Sequence, residues 1–157
     1  MRSERVASGA GEIVVQPIRN VKRDAHLTLI RRWCGDLAGK HVLKTDLFEE
    51  AHGPDQLLFD LAGSALRLGV DISPAIARRA SERGRAASSP PPGCLAADVL
   101  SLPFRANAFD VIVSNSTLDH FPDALHLDDA LVELYRVLKP GTLKEHAPMT
   151  PSPNHRR

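Results

Sequence analysis

The sequence lacks most features that mark a chain as secreted, membrane-bound or metal-dependent. Its two cysteines, Cys34 and Cys94, form no CxxC pair, so neither a disulfide framework nor a structural zinc site is expected, and the expected location is a reducing cytoplasm. No apolar run approaches the ~18 residues that span a bilayer, and no secretory signal is expected at the start of the chain. The histidines form no HxH or HExxH pattern, so no metal site is expected either.

The chain also has no large excess of positive or negative charge. Lys and Arg total 20 and Asp and Glu total 19, and the resulting net charge of +1 gives no reason to expect a nucleic-acid or membrane partner. The 157 residues are 43% hydrophobic and 25% charged, which is typical of one globular domain. We expect a lead-in over residues 1–22, a folded core over residues 23–141 and a disordered tail over residues 142–157.

Strand-like and helix-like segments alternate along this core. Short apolar runs predict strands over residues 41–45, 66–70, 94–97 and 109–114, with a further short strand suggested over residues 13–15. Periodicity and capping residues predict helices over 24–39, 55–62, 73–84 and 123–138, with a polar connection over 46–54. The last helix is expected to bury Leu127, Leu131, Leu134, Tyr135 and Leu138. The alternation predicts an α/β fold with a Rossmann-like, doubly wound, mainly parallel sheet.

Three aspartates stand directly after predicted strands. Asp46, Asp71 and Asp98 follow the first three strands, and Asn115 follows the fourth. Since ligands bind at the carboxyl ends of parallel strands, we expect these side chains on one rim of the sheet. A carboxylate after the second strand can accept hydrogen bonds from both ribose hydroxyls, and one after the third can accept from an adenine amino group. One such aspartate alone is better explained as a turn cap, but the regular spacing of the set favours an adenosine site.

Four segments resemble the class I S-adenosylmethionine (SAM) dependent methyltransferases, in particular the small-molecule group called type 11. They are GVDISP (69–74), ADVLSLPF (97–104), AFDVIVSNSTLDHF (108–121) and ELYRVLKPG (133–141). The second and third are specific in combination, because an acid, a Leu-Pro-Phe, a short gap and a Phe-Asp-Val rarely occur together by chance. The resemblance covers about two-thirds of the chain and implies SAM as the methyl donor and a small molecule as the acceptor.

The resemblance also implies roles for single residues. Asp71 would hold the ribose hydroxyls, and Ile72 would pack on the adenine ring. Asp98 would meet the adenine amino group, with the Val99 backbone beside it. The helix over residues 23–39 would cover the cofactor.

The segment after the fourth strand would face the methionine part of SAM. The resemblance places Ser114, Asn115 and Ser116 near the transferred methyl group. Asp119 and His120 follow them, and a histidine there is a candidate general base because its pKa is ordinarily near neutrality. Methyl transfer from a sulfonium often needs only in-line positioning, so a loop histidine without a chemical role is the alternative.

The loop after the first strand departs from the family pattern. The family has a glycine-rich turn there, whereas residues 45–53 contain only one glycine, Gly53, which is a candidate cofactor-binding residue. The positive groups of SAM could instead meet Asp46, Glu49 or Glu50. The same loop argues against an NAD-dependent oxidoreductase, which needs GxGxxG and a phosphate-binding helix start.

The C-terminal segment departs as well. Where the family continues with a fifth strand, a helix and an antiparallel strand pair, this chain has three prolines and few large apolar residues after Gly141. We therefore expect a truncated or frame-shifted chain that lacks the last strands, leaving residues 111–113 as an exposed edge open to self-association. A non-catalytic SAM-binding fragment or interaction module, and an NAD-type nucleotide-binding protein, are the alternatives to an active methyltransferase.

Overall fold

A computed structural model describes residues 12–61, 63–118 and 121–141, with side chains described from residue 23 onward. The helices are α1 (Glu12–Cys34), α2 (Phe48–His52), α3 (Leu57–Asp60), α4 (Pro74–Ala87) and α5 (Ala124–Val137). The strands are β1 (His41–Thr45), β2 (Leu66–Asp71), β3 (Gly93–Ala96) and β4 (Val111–Val113). Asp119, His120 and the predicted tail over residues 142–157 lie outside the described residues.

The four strands form one parallel sheet in the order β3-β2-β1-β4. Leu43 in the middle of β1 stands beside Leu68 of β2 and Ile112 of β4. The chain winds outward in opposite directions from β1, so a crevice opens between the carboxyl ends of β1 and β4. The predicted Rossmann-like α/β fold is confirmed, with the strands close to the predicted positions.

Apolar side chains cover both faces of the sheet. On one face Leu43, Val70 and Phe109 pack with Leu134 of α5. On the other face the first four helices pack in two adjoining clusters, with Val42 at the centre of one of them. Burial on both faces explains why adjacent residues of the central strand, such as Val42 and Leu43, are both apolar and both buried.

Helix α1 differs from the predicted helix at both ends. It begins at Glu12, so residues 13–15 are helical and the predicted short strand there is wrong. Asp24 lies inside the helix and does not cap it. Extending an existing helix costs less than starting one, so a suitable capping residue does not force a start. The helix ends at Cys34, before the expected Gly39, because Gly35 adopts φ 69°, the left-handed conformation that terminates helices.

Helix α5 has the predicted position, but it buries a different stripe. Asp123 caps it through a hydrogen bond from His126 N–H. Ala130, Leu134 and Val137 are buried, whereas the expected core residue Tyr135 is 69% exposed. Leu131 is exposed as well, so this part of the prediction is wrong. The helix carries apolar residues around most of its circumference, and the periodicity alone therefore could not select the face that meets the sheet.

The outer edge of β4 is paired only at its beginning. Phe109 accepts from Lys139 N–H at 2.8 Å and donates to Val137 O at 3.0 Å, so the chain after α5 starts to run beside this strand. Backbone groups alternate sides along a strand, so those of Val111 and Val113 face the same outer edge. Within the described residues nothing pairs with them. Self-association through this edge stays a prediction.

Across the part of the chain that the structure describes, no helix is long and apolar enough to cross a membrane. The division of the chain into a lead-in, a core and a tail stays a prediction.

Candidate functional site

A cavity of about 550 Å³ opens at the carboxyl ends of the four strands. This volume lies within the usual range for small-molecule sites. Its walls come from the strand ends and from the turns that follow them. They are formed by Thr45, Asp46, Phe48, Glu49, Val70, Asp71, Ile72, Ile76, Ala97, Asp98, Val99, Ser116, Thr117 and Phe121. The three aspartates predicted to share one rim therefore meet at one cavity.

The turn after β2 is organised by Asp71. Its Oδ1 accepts from Ser73 N–H at 2.9 Å, and its Oδ2 accepts from Leu47 N–H at 3.0 Å in the turn after β1. Ser73 then caps α4 by accepting from Ile76 N–H, and Pro74 occupies the first turn, as predicted. Each carboxylate oxygen can accept a second bond, so the structural role and a ligand role for Asp71 are compatible.

The turn after β3 is built in a similar way. Asp98 Oδ1 accepts from Leu100 N–H at 2.9 Å, which leaves Oδ2 available to a ligand at the cavity wall. Val99 is almost fully buried beside it and is one of the residues that line the cavity. Ile72 lies on the cavity wall and is 74% exposed, an unusual degree for an isoleucine. An exposed aliphatic side chain beside two carboxylates suits a flat apolar ring with polar edges.

The turn after β1 contains the short helix α2 where a polar connection was predicted. Asp46 has φ 99°, a left-handed conformation, and its Oδ1 accepts from Phe48 N–H at 2.8 Å. Phe48 and Glu49 extend from the start of α2 onto the cavity wall. Gly69 of β2 permits this packing, because a Cβ there would lie 2.3 Å from the Leu47 side chain.

A buried ion pair lies beneath this turn. Lys44 Nζ is 2.9 Å from Glu50 Oε2, and the two side chains are 1% and 0% exposed. Lys44 Nζ also donates to the backbone oxygen of Asp46, and Glu50 Oε1 accepts from Leu58 N–H at 2.9 Å. Glu50 therefore faces the core and not the cavity, so the expectation that it could meet a positive ligand group is wrong.

Burial sets the ionisation of the groups near this pair. It raises the pKa of Glu50 against the lowering effect of Lys44. Burial also raises the pKa of Cys94 to about 11, with Glu50 adding to the effect. The Cys94 thiol is therefore protonated near neutral pH and is a poor nucleophile. Among the described residues no group of three or more His, Cys, Asp or Glu is arranged to hold a metal ion.

A threonine pair joins the two sides of the crevice. Thr117 Oγ1 donates to Thr45 O at 2.6 Å and lies 2.9 Å from Thr45 Oγ1. The sequence pattern predicts no role for either residue. The only signal for Thr117 was its position within the SNSTLDHF segment, and nothing in a single sequence pairs it with Thr45. Phe48 and Phe121 also line the cavity without having been predicted, because a single sequence does not show which side chains of a loop face a cavity.

Several predicted site residues do not line this cavity. Ser114 and Asn115 line a smaller neighbouring cavity of about 360 Å³ between α1 and the edge of β4. Gly53 lies at the end of α2, where its lack of a side chain leaves room for the folded-back carboxylate of Glu49. Helix α1 borders that smaller cavity and does not line the main one. Asp119 and His120, the candidate base and its neighbour, lie outside the described residues.

The main cavity is strongly acidic. Asp46, Glu49, Asp71 and Asp98 line it, and no lysine, arginine or histidine does so among the residues that the structure describes. Carboxylates without cations nearby attract a positively charged ligand and disfavour an anionic one. The site therefore suits a ligand that carries positive charge.

A comparison with protein-family models matches residues 51–143, more than half of the chain, to the methyltransferase domain family. The chain belongs to this family, which comprises SAM-dependent methyltransferases. The matched range contains Asp71, Asp98 and the segment after β4, whereas Asp46 and Glu49 precede it.

Solved structures are similar over most of this chain. The cyclase SpnF is 25% identical, with a TM-score of 0.60 over 76% of this chain and 42% of its own. The YcgJ protein from Bacillus subtilis is 26% identical, with a TM-score of 0.56 over 72% and 45%. A SAM-dependent methyltransferase from Aquifex aeolicus is 20% identical, with a TM-score of 0.58 over 72% and 57%, and supports the fold alone.

The chain spans less than two-thirds of the length of each of these three proteins. No match was found among curated proteins. Because one similar structure is a cyclase, the fold does not by itself determine the reaction.

Proposed function

We propose that the chain binds SAM in the main cavity and transfers its methyl group to a small-molecule acceptor. The observation that carries this proposal is the set of three aspartates, one at the carboxyl end of each of β1, β2 and β3, on the wall of one acidic cavity. The family supports SAM as the cofactor, and the residues present fit it in volume, charge and hydrogen-bonding groups. SAM supplies an activated methyl group on a positively charged sulfur.

Each wall of the cavity has a role in this proposal. Asp71 holds the ribose hydroxyls, Ile72 packs on the adenine ring, and Asp98 accepts from the adenine amino group. Asp46 lies before the start of α2 and Glu49 lies in its first turn. Their negative charge favours the cationic methionine portion of SAM on this side of the cavity. The contribution of the chain to the reaction is orientation: it fixes the donor so that an acceptor can approach in line.

The acidic cavity argues against the dinucleotide alternative. A pyrophosphate needs a cation or an accessible helix N-terminus. The described wall offers no cation, and the first turn of α2 carries Glu49 and Glu50. Negative charge at that position repels phosphate. NAD binding is therefore disfavoured by charge as well as by the missing glycine motif.

Thermal melts with added ligand test the proposal. An excess of S-adenosylhomocysteine (SAH) should stabilise the protein by RT ln(1 + [L]/Kd), about 2.7 kcal/mol at a hundredfold excess over Kd, whereas NAD should give no shift. SAH released from SAM on incubation with candidate acceptors would establish turnover. Binding without turnover would favour a non-catalytic SAM-binding module. No shift with SAH or SAM would overturn the proposal.

The acceptor site belongs to the same proposal. The smaller cavity beside β4 shares the segment after that strand with the main one, because Ser114 and Asn115 line the former and Ser116 and Thr117 the latter. Trp33 and Ile30 give it an apolar wall. These features favour a small, mainly apolar acceptor.

A cytoplasmic location is proposed from cysteine usage alone.

A further inference from the structure

The backbone of Asp46 has a conformation that residues other than glycine adopt rarely. Its φ of 99° lies in the left-handed region, where a side chain costs free energy and glycine does not. Such strain persists only when surrounding contacts enforce it. Asp46 also lies on the wall of the main cavity, so the contacts that enforce its conformation shape the ligand site.

Two contacts fix the backbone of this residue. Its N–H donates to Val70 O at 2.8 Å, and its carbonyl accepts from Lys44 Nζ. The Lys44 ammonium is in turn fixed by Glu50 Oε2, and Glu50 is fixed through Oε1 by Leu58 N–H. A continuous set of hydrogen bonds therefore runs from the fully buried Glu50 to the cavity wall.

Stability alone does not account for this ion pair. Taking two charges out of water is costly, and buried ion pairs can often be replaced by apolar side chains without loss of stability. Lys44 nevertheless stands within the central strand, where β2 and β4 flank it and both neighbours along the strand are buried. The feature that an apolar pair could not supply is a donor to the Asp46 carbonyl.

We propose that Lys44 and Glu50 are positioning residues that hold the turn after β1 in its ligand-binding shape, and that they do here what glycine does in a glycine-rich turn. This inference rests on the proposed function, because it concerns the cavity that would bind SAM. It predicts that the chain needs the pair only as long as residue 46 is not glycine.

The test is a comparison of the K44M/E50Q double substitution in three backgrounds. These are the unmodified chain, Asp46→Asn and Asp46→Gly. Asparagine and glycine both remove the carboxylate of Asp46, so Asp46→Asn is the matched control for lost charge. Only glycine removes the cost of the left-handed backbone. Calorimetry gives the Kd of SAH for all six proteins, and thermal melts show that each is folded.

The double substitution should weaken SAH binding about tenfold in the unmodified and Asp46→Asn backgrounds, and less than about twofold with Asp46→Gly. A purely structural role would give the same change in all three backgrounds, and either an equal loss or no loss in any of them overturns the inference. If the double variant does not fold, Glu50→Gln alone provides the test, since it removes the charge that holds Lys44 and should show the same dependence on residue 46. If the unmodified chain binds neither SAH nor SAM, the proposed function itself fails. If the unmodified chain binds SAH and the double substitution leaves the Kd unchanged, only the positioning role of Lys44 and Glu50 is contradicted.

Discussion

The turns after β1 and β2 begin with the same residue type and reach the same cavity, but they are held in different ways. Asp71 is followed by Ser73 and Pro74, and this turn is shaped chiefly by hydrogen bonds among residues that are close in sequence. Asp46 has a left-handed backbone, and its turn depends on a buried ion pair. Residues near in sequence can therefore shape one side of a site while the hydrophobic core shapes the other.

The largest expected effect comes from breaking the support of the turn after β1. Lys44→Met should lower the free energy of unfolding by about 3–5 kcal/mol at neutral pH, because it leaves the Glu50 carboxylate buried without its partner. Urea denaturation measures the loss. The matched control is Lys139→Met, which breaks a partly exposed pair with Asp110 and should cost less than about 1 kcal/mol. Similar losses in both variants would contradict the importance of the buried pair.

The next effect concerns the residue that joins the two turns. Asp71→Asn should weaken SAH binding about ten- to a hundredfold, since asparagine has one acceptor oxygen where the aspartate uses both for backbone groups and, in our proposal, for the ribose. Calorimetry with SAH checks this. Asp110→Asn is the control, because Asp110 is also bonded to a backbone N–H but lies at the opposite end of the sheet. Equal losses in the two variants would show a general effect of lost charge.

A pH series sharpens the comparison. Burial raises the pKa of Glu50, so the folded state binds the proton more tightly than the unfolded state does. Its contribution to stability therefore falls as the pH rises above the ordinary glutamate pKa and through the raised one. Lys44→Met removes the nearby charge that lowers this pKa. The variant should regain up to about 1.4 kcal/mol per pH unit on acidification from the raised pKa of Glu50 toward the ordinary glutamate pKa.

Urea denaturation across this pH range measures the recovery. The double variant K44M/E50Q is the control, since it has no carboxyl at position 50. Its free energy of unfolding, relative to that of the unmodified chain, should not show the recovery on acidification that Lys44→Met shows. A loss in Lys44→Met that stays constant with pH would mean that Glu50 is not the titrating group.

The smallest effect is expected in the turn after β2. Ser73→Ala removes the cap of α4 and should lower the free energy of unfolding by about 1 kcal/mol. Denaturant unfolding tests this, with Asp123→Ala as the corresponding change at the start of α5. SAH affinity should change less than about twofold, because Asp71 keeps its backbone partners. A loss as large as that of Lys44→Met would contradict the local character of this turn.

The same contrast explains which predictions from the sequence were correct. The strands were predicted closely because short apolar runs, such as residues 111–113, belong to a sheet covered on both faces. Ser73 and Pro74 predicted the start of α4 because capping involves residues three apart or fewer. The spacing of Asp46, Asp71 and Asp98 predicted their shared cavity wall, since parallel strands end at one edge.

The errors concern choices between physically similar options. Periodicity alone suggested that α5 would bury Tyr135, but several of its faces are apolar and the sheet selected Ala130 and Val137. Glu50 has the same side chain as Glu49, yet Glu50 pairs with Lys44 in the core, whereas Glu49 lies on the cavity wall with its carboxylate folded back beside Gly53. Whether a carboxylate meets a ligand or a lysine depends on long-range packing.

The sequence by itself determined the order and type of most elements, the parallel sheet and the rim on which its aspartates meet, because these follow from local periodicity, capping and strand direction. Only the tertiary structure decided that Thr117 bonds to Thr45, that Lys44 supports Asp46, and that Ser114 and Asn115 border a second cavity. These contacts join elements that approach each other only after the sheet has formed, and their free energies depend on burial that no local pattern records.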